Sequence, residues 1–78
     1  MKDIQLVDVT IHIDRDTDDT TRREVENALR GIDGVISVHM PEDERHLIVV
    51  EYNPDATKSL DLLNAVQAVA GHAELIGL

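Results

Sequence analysis

The sequence predicts an α+β fold, a four-stranded antiparallel sheet with two helices on one face. Three observations carry that expectation. Residues 4–13, IQLVDVTIHI, place Val7, Val9, Ile11 and Ile13 on one parity, the mark of a strand with a single buried face. Two later stretches carry apolar residues at helical spacing: Val25, Ala28, Leu29 and Ile32, then Leu62, Leu63, Val66, Val69 and Ala70. The elements follow one another as strand, helix, strand, strand, helix, strand, which is the order of two split β-α-β units.

Each element has local support. The first strand leads into DRDTDD, a polar loop. The first helix, residues 20–30, has a marked start. Thr21 with Glu24 matches a capping box, and Asp18 and Asp19 stand where the positive end of a helix dipole favours anions. Gly31 suits the position just past the last turn. GIDGV, residues 31–35, reads as a turn, and VISVHM, residues 35–40, as a second strand with Ile36, Val38 and Met40 on one face. PEDER, residues 41–45, is a charged hairpin loop, and HLIVVEY, residues 46–52, a third strand. Asn53, Pro54 and Asp55 mark another loop. Ser59 is the expected N-cap of the second helix and Gly71 its end. HAELIGL, residues 72–78, is a short last strand. This is a ferredoxin-like βαββαβ two-layer sandwich with one sheet face open.

Composition narrows the function classes. Residues 1–78 read as one domain, near the lower end of what a single core stabilises. There is no cysteine, so no disulfide, thiolate metal site or thiol chemistry. Phe and Trp are absent, which leaves an aliphatic core with Tyr52 as the only aromatic ring. Sixteen acidic residues against 7 basic ones give a formal charge of −9. Such a surface repels phosphate backbones and anionic membranes. Nucleic-acid binding is further disfavoured by the lack of a basic stripe or aromatic stacking platform. No continuous apolar run is present, so neither a signal peptide nor direct membrane insertion is expected, and the expected location is the cytoplasm. Enzyme chemistry is not expected either. No thiol nucleophile exists, and Gly31, Gly34, Gly71 and Gly77 stand at turns rather than in a phosphate-cradling loop.

VENALRGIDGVISV, then IVVEYNP, then LLNAVQAVAGHAEL, resemble the heavy-metal-associated domain of copper chaperones and of metal-pumping ATPase tails. The resemblance runs from Ile4 to Leu75 and implies a ferredoxin-like fold and a place in metal handling. The family's functional motif is Met-x-Cys-x-x-Cys, between the first strand and the first helix. Aligning Val25, Glu26, Asn27, Ala28 and Leu29 with the family's helix puts Asp16 at the Met, Asp18 at the first Cys and Thr21 at the second. Every functional position is changed. Cu(I) is soft and prefers thiolates, whereas carboxylate and hydroxyl oxygens suit hard cations. No cofactor and no Cu(I) are therefore expected. The resemblance implies a non-catalytic accessory or docking module that lacks the cysteine site.

Two alternatives stand beside this reading. In this topology the end of the first strand, the loop between strands two and three, and the start of strand four share one end of the sheet. His12, His39, His46 and His72 fall near that end, with Asp14, Asp16, Asp18, Asp19, Glu42, Asp43 and Glu44. Histidine nitrogen and carboxylate oxygen suit zinc or nickel. The resemblance makes His72 the candidate ligand, with Asp16 and Asp18 as partners. Against convergence, His12 and His39 lie on strands separated by a third, about 10 Å apart, too far for one ion with bonds of about 2 Å. DRDTDD also imitates the opening of a calcium loop. However, Asp19 replaces the required Gly, and Val25 the closing Glu. The second alternative is a small-ligand-sensing regulatory domain. On the open face the strand parity places Leu6, Val35, Leu47 and Val49. Central strands one and three would join Leu6, Leu47 and Val49 into a patch for a protein partner, a second copy or a neighbouring domain.

Overall fold

The computed structural model describes residues 5–76. Its elements are β1 (Val7–Ile13), α1 (Asp19–Arg30), β2 (Val35–His39), β3 (Leu47–Tyr52), α2 (Ser59–Ala70) and β4 (Ala73–Ile76). The sheet order is β2-β3-β1-β4 and every neighbouring pair is antiparallel. The expected ferredoxin-like sandwich is thus the observed one, with β1 and β3 central. The expected first-strand start at Ile4 and the last-strand end at Gly77 and Leu78 lie outside the described residues.

The period-two pattern places the core. Val9, Ile11 and Ile13 of β1 and Ile48, Val50 and Tyr52 of β3 are buried beneath Val25 and Leu29 of α1 and Leu62 and Val66 of α2. Full burial of each such aliphatic side chain stabilises the fold by about 1.5–3 kcal/mol. Leu63, Val69 and Ala70 pack at its margin, so the expected α2 stripe is the one that faces the sheet.

Three local features differ from the sequence reading. First, α1 is capped by Asp18 rather than by a Thr21–Glu24 box. The Thr21 backbone N–H donates to Asp18 Oδ1 at 2.8 Å, and the Arg22 N–H makes the first intrahelical bond to the Asp18 carbonyl at 2.9 Å. A carboxylate is the better acceptor at the positive helix end, so the helix starts earlier and Thr21 lies in its first turn. Likewise α2 begins with Ser59 inside the helix. Lys58 occupies the extended cap position and makes no capping bond through its side chain.

Second, Gly31 ends α1 as expected, but the positive φ of the following turn falls at Gly34. Gly31 has an ordinary φ of −80°, whereas Gly34 has φ +102°. A Cβ on Gly34 would stand 2.7 Å from the Ala56 Cβ. The Gly34 carbonyl accepts from the Asn53 N–H at 2.8 Å, which joins this turn to the β3–α2 loop.

Third, β2 carries a bulge. Val35 pairs with Tyr52, but the next pairing is Ser37 with Glu51, which leaves Ile36 over. The extra residue reverses the parity. Val35 lies opposite buried Tyr52 and packs against the core, so it does not belong to the open face. Val38 and Met40 also face the core, while Ile36 is 55% exposed, so the expected shared face of Ile36, Val38 and Met40 is broken.

Candidate functional site

The β1–α1 loop and the β2–β3 loop meet at one end of the sheet, and arginines join them. Arg45 donates from Nη2 to the Thr17 carbonyl at 3.2 Å and to Asp19 Oδ1 at 2.6 Å. Its Nη1 stands 3.9 Å from Glu42 Oε2, the same distance that separates Glu42 from Arg22 Nη1. The Ile13 N–H donates to the His46 carbonyl at 2.9 Å and closes the same end. Two carboxyls respond to these contacts. The Thr21 backbone N–H holds the Asp18 carboxyl below its ordinary range, and the hydrogen bond from Arg45 does the same for Asp19. Both therefore remain anions, but each already has a partner.

The residues singled out as metal ligands are placed apart in role. Asp16 is exposed on the loop. Asp18 commits an oxygen to the helix cap. His72 is exposed between α2 and β4, with its backbone N–H bonded to the Ala70 carbonyl at 3.0 Å. Among the described residues no three His, Asp or Glu side chains converge to hold a metal ion. The guanidinium of Arg45 is the cation that the acidic loop already holds.

Two histidines do meet. The rings of His12 and His46 are 5.2 Å apart, edge to face at 71°. His12 Nδ1 is 3.8 Å from Glu74 Oε1. Strand parity alone assigns His12 and His46 to opposite faces, and the approach becomes legible only once Leu47 is known to pair with His12. His39 sits opposite Val49 on β2, separated from His12 by β3 as expected.

The open face is also rearranged. The register runs Asp8 to Glu51, Thr10 to Val49 and His12 to Leu47. The carboxylate pair therefore separates Leu6 from Val49 and Leu47, and the expected continuous patch of the three does not form. Val49 and Leu47 are half-buried neighbours on one face of β3, while Ile76 of β4 lies across Thr10 from Val49. A shorter apolar strip results, with Asp8 and Glu51 at one end.

One residue at the rim was not anticipated. Arg22 is 7% exposed and shares the core-facing stripe of α1 with Val25 and Leu29. Its spacing from Val25, one turn earlier, was the available signal. Together with Asp19, Arg23, Glu26, Met40 and Glu42 it lines a groove of about 260 Å³.

No family model matches the chain, and no curated protein matches it. Solved structures do share its fold. The N-terminal domain of a potential copper-translocating P-type ATPase from Bacillus subtilis, in its Cu(I)-loaded state, superposes with TM-score 0.81 at 25% identity, over 94% of this chain and 90% of that one. Oxidized MerP from Ralstonia metallidurans CH34 gives TM-score 0.79 at 22% identity, over 94% and 100%. The CopZ metallochaperone gives 0.67 at 17%, over 92% and 100%. This chain has the fold that a pump domain and a metallochaperone share, and it spans essentially their whole length. Among the described residues no helix is long and apolar enough to cross a membrane.

Proposed function

We propose that this chain is a non-catalytic domain of the heavy-metal-associated type, acting as an accessory or docking module in metal handling without a thiolate site of its own. One observation carries the reading. Where the resemblance puts the two thiolates, Asp18 and Thr21 stand instead, bonded to each other as a helix cap. The next acid, Asp19, is held by Arg45. Oxygen donors already engaged in this way offer a soft ion nothing it prefers. The shared fold with the Cu(I)-loaded pump domain supports the metal-handling setting. The open face around Leu47 and Val49, with Ile76 beyond Thr10, is the surface through which a protein partner or neighbouring domain would dock, in the cytoplasm.

The test is a comparison of the unmodified chain with the Asp18→Cys/Thr21→Cys variant, both titrated with Cu(I) under reducing conditions. The two positions are three apart at the start of α1, which brings two thiols to one helix end. The variant should keep its circular dichroism spectrum and bind Cu(I) saturably, while the unmodified chain should not. Tight Cu(I) binding by the unmodified chain would end this reading. Parallel titrations with Zn(II), Ni(II) and Ca(II) test the rebuilt site. Saturable amide shifts confined to Asp16, Asp18 and His72 would establish a divalent metal binder in its place.

A further inference from the structure

Arg22 has no part in the docking role, and its surroundings are unusual. A buried guanidinium is costly unless its charge and its N–H groups are matched. At Arg22 the match is incomplete. Its Nε is buried and has no hydrogen-bond partner among the described residues. Its ion-pair contact, Nη1 to Glu42 Oε2, is 3.9 Å, beyond hydrogen-bond reach. Glu42 is itself 89% exposed and equally far from Arg45, so it is a loosely shared counter-charge.

The other acids of the groove have closer partners, although Asp19 also feels the charges of Arg22 and Arg23. Asp19 Oδ1 lies 2.6 Å from Arg45 Nη2, and Glu26 Oε2 lies 2.8 Å from Arg30 Nη2. Arg23, which also lines the groove, has no ion pair among the described residues. The groove therefore holds one buried guanidinium whose Nε lacks an acceptor, beside the exposed guanidinium of Arg23, in a chain whose net charge is −9.

We propose that this groove is a binding site for a small organic carboxylate, with Arg22 as its principal ligand and Arg23 beside it. The planar fork of an arginine matches the two oxygens of a carboxylate. Met40 gives the groove an apolar wall for the carbon body of such a ligand. The strongly negative chain penalises a multiply charged phosphate more than a monoanion, which favours carboxylate over phosphate. At about 260 Å³ the groove suits a ligand smaller than an ordinary drug-sized molecule. Glu42 is the chain's own carboxylate at the mouth of the site, and the ligand replaces it there.

The probe is sodium acetate, titrated into labelled protein at ionic strength held constant with chloride, reading the arginine Nε–Hε resonances. The Arg22 signal should shift saturably with acetate and not with chloride. Glu42→Gln should tighten the response several-fold by removing the internal competitor, and Arg22→Met should abolish the remaining groove shifts at Arg23. Should Arg22→Met fail to fold, the unmodified chain and Glu42→Gln decide the matter alone. No saturation in either, or equal shifts with chloride, overturns the site. A stronger response to phosphate than to acetate overturns the carboxylate assignment. None of these outcomes depends on Cu(I) binding or on docking at the sheet face.

Discussion

At the scale of single residues, the rim acids act as structural groups. Asp18 and Asp19 are held below the ordinary carboxyl range by the Thr21 N–H and by Arg45 respectively. The folded chain thus binds fewer protons than the unfolded one as acid is added. Their contribution to stability is present above about pH 4 and is lost as pH falls further, through the lowered folded values. Urea unfolding midpoints measured across that range should decline, and Asp18→Asn should flatten the decline while keeping most of the cap, because Asn also caps well. Asp18→Ala should lower the midpoint at neutral pH as well. Arg22 makes the opposite point. Removing one partner of a closely paired buried ion pair costs about 3–5 kcal/mol. At 3.9 Å from its carboxylate, Arg22 is not closely paired. Arg22→Met should leave the urea midpoint unchanged or raise it, since an apolar side chain matches Val25 and Leu29 along the stripe. The buried arginine was legible from its spacing. Its unmatched Nε was not, because that depends on what the β2–β3 loop brings near it.

At the scale of elements, the differences from the sequence reading share one cause. Local rules name the acceptors and turn residues available but do not rank them. Asp18 and Thr21 both qualify as caps, and the helix used the stronger acceptor. Gly31 and Gly34 both qualify as turn residues, and only Gly34 takes a positive φ. Gly34→Ala should cost more than Gly71→Ala in a urea titration. Both glycines have positive φ, at +102° and +84°, so alanine is strained at either. At Gly34 the new Cβ also meets the Ala56 Cβ at 2.7 Å, while at Gly71 nothing lies within 4 Å. Equal losses would show that the Gly34–Ala56 approach relaxes freely. The β2 bulge is a further case. A period-two reading assumes unbroken pairing, so a single extra residue at Ile36 moves Val35 from the open face to the core.

At the scale of the whole molecule, a small aliphatic core supports the sandwich. Leu62 is fully buried on α2 and reaches the layer between helices and sheet. Leu62→Ala should destabilise the chain by about 2–5 kcal/mol. Against a total of about 5–15 kcal/mol for a typical domain, that is a large fraction. The expected reading is a much lower urea midpoint with the cooperativity intact. The open face is where the whole molecule departs most from its parts. Asp8 and Glu51, unremarkable along the chain, oppose each other on the two central strands and cut Leu6 off from the apolar surface that the docking proposal uses. His12 and His46, read as facing opposite sides, come into contact because Leu47 pairs with His12.

The chain by itself settled the architecture and the chemistry it can offer. Periods of two and 3.6 are local properties, and so is the absence of thiol, so the sandwich and the lack of a thiolate site followed from residue order alone. Tertiary structure decided which groups face one another: the Arg45 bridge to Asp19, the carboxylates across the open face, and the arginine beneath Glu42. Register, bulges and loop approach are set by packing between segments far apart in sequence, and no local pattern encodes the distance between two side chains that meet only after folding.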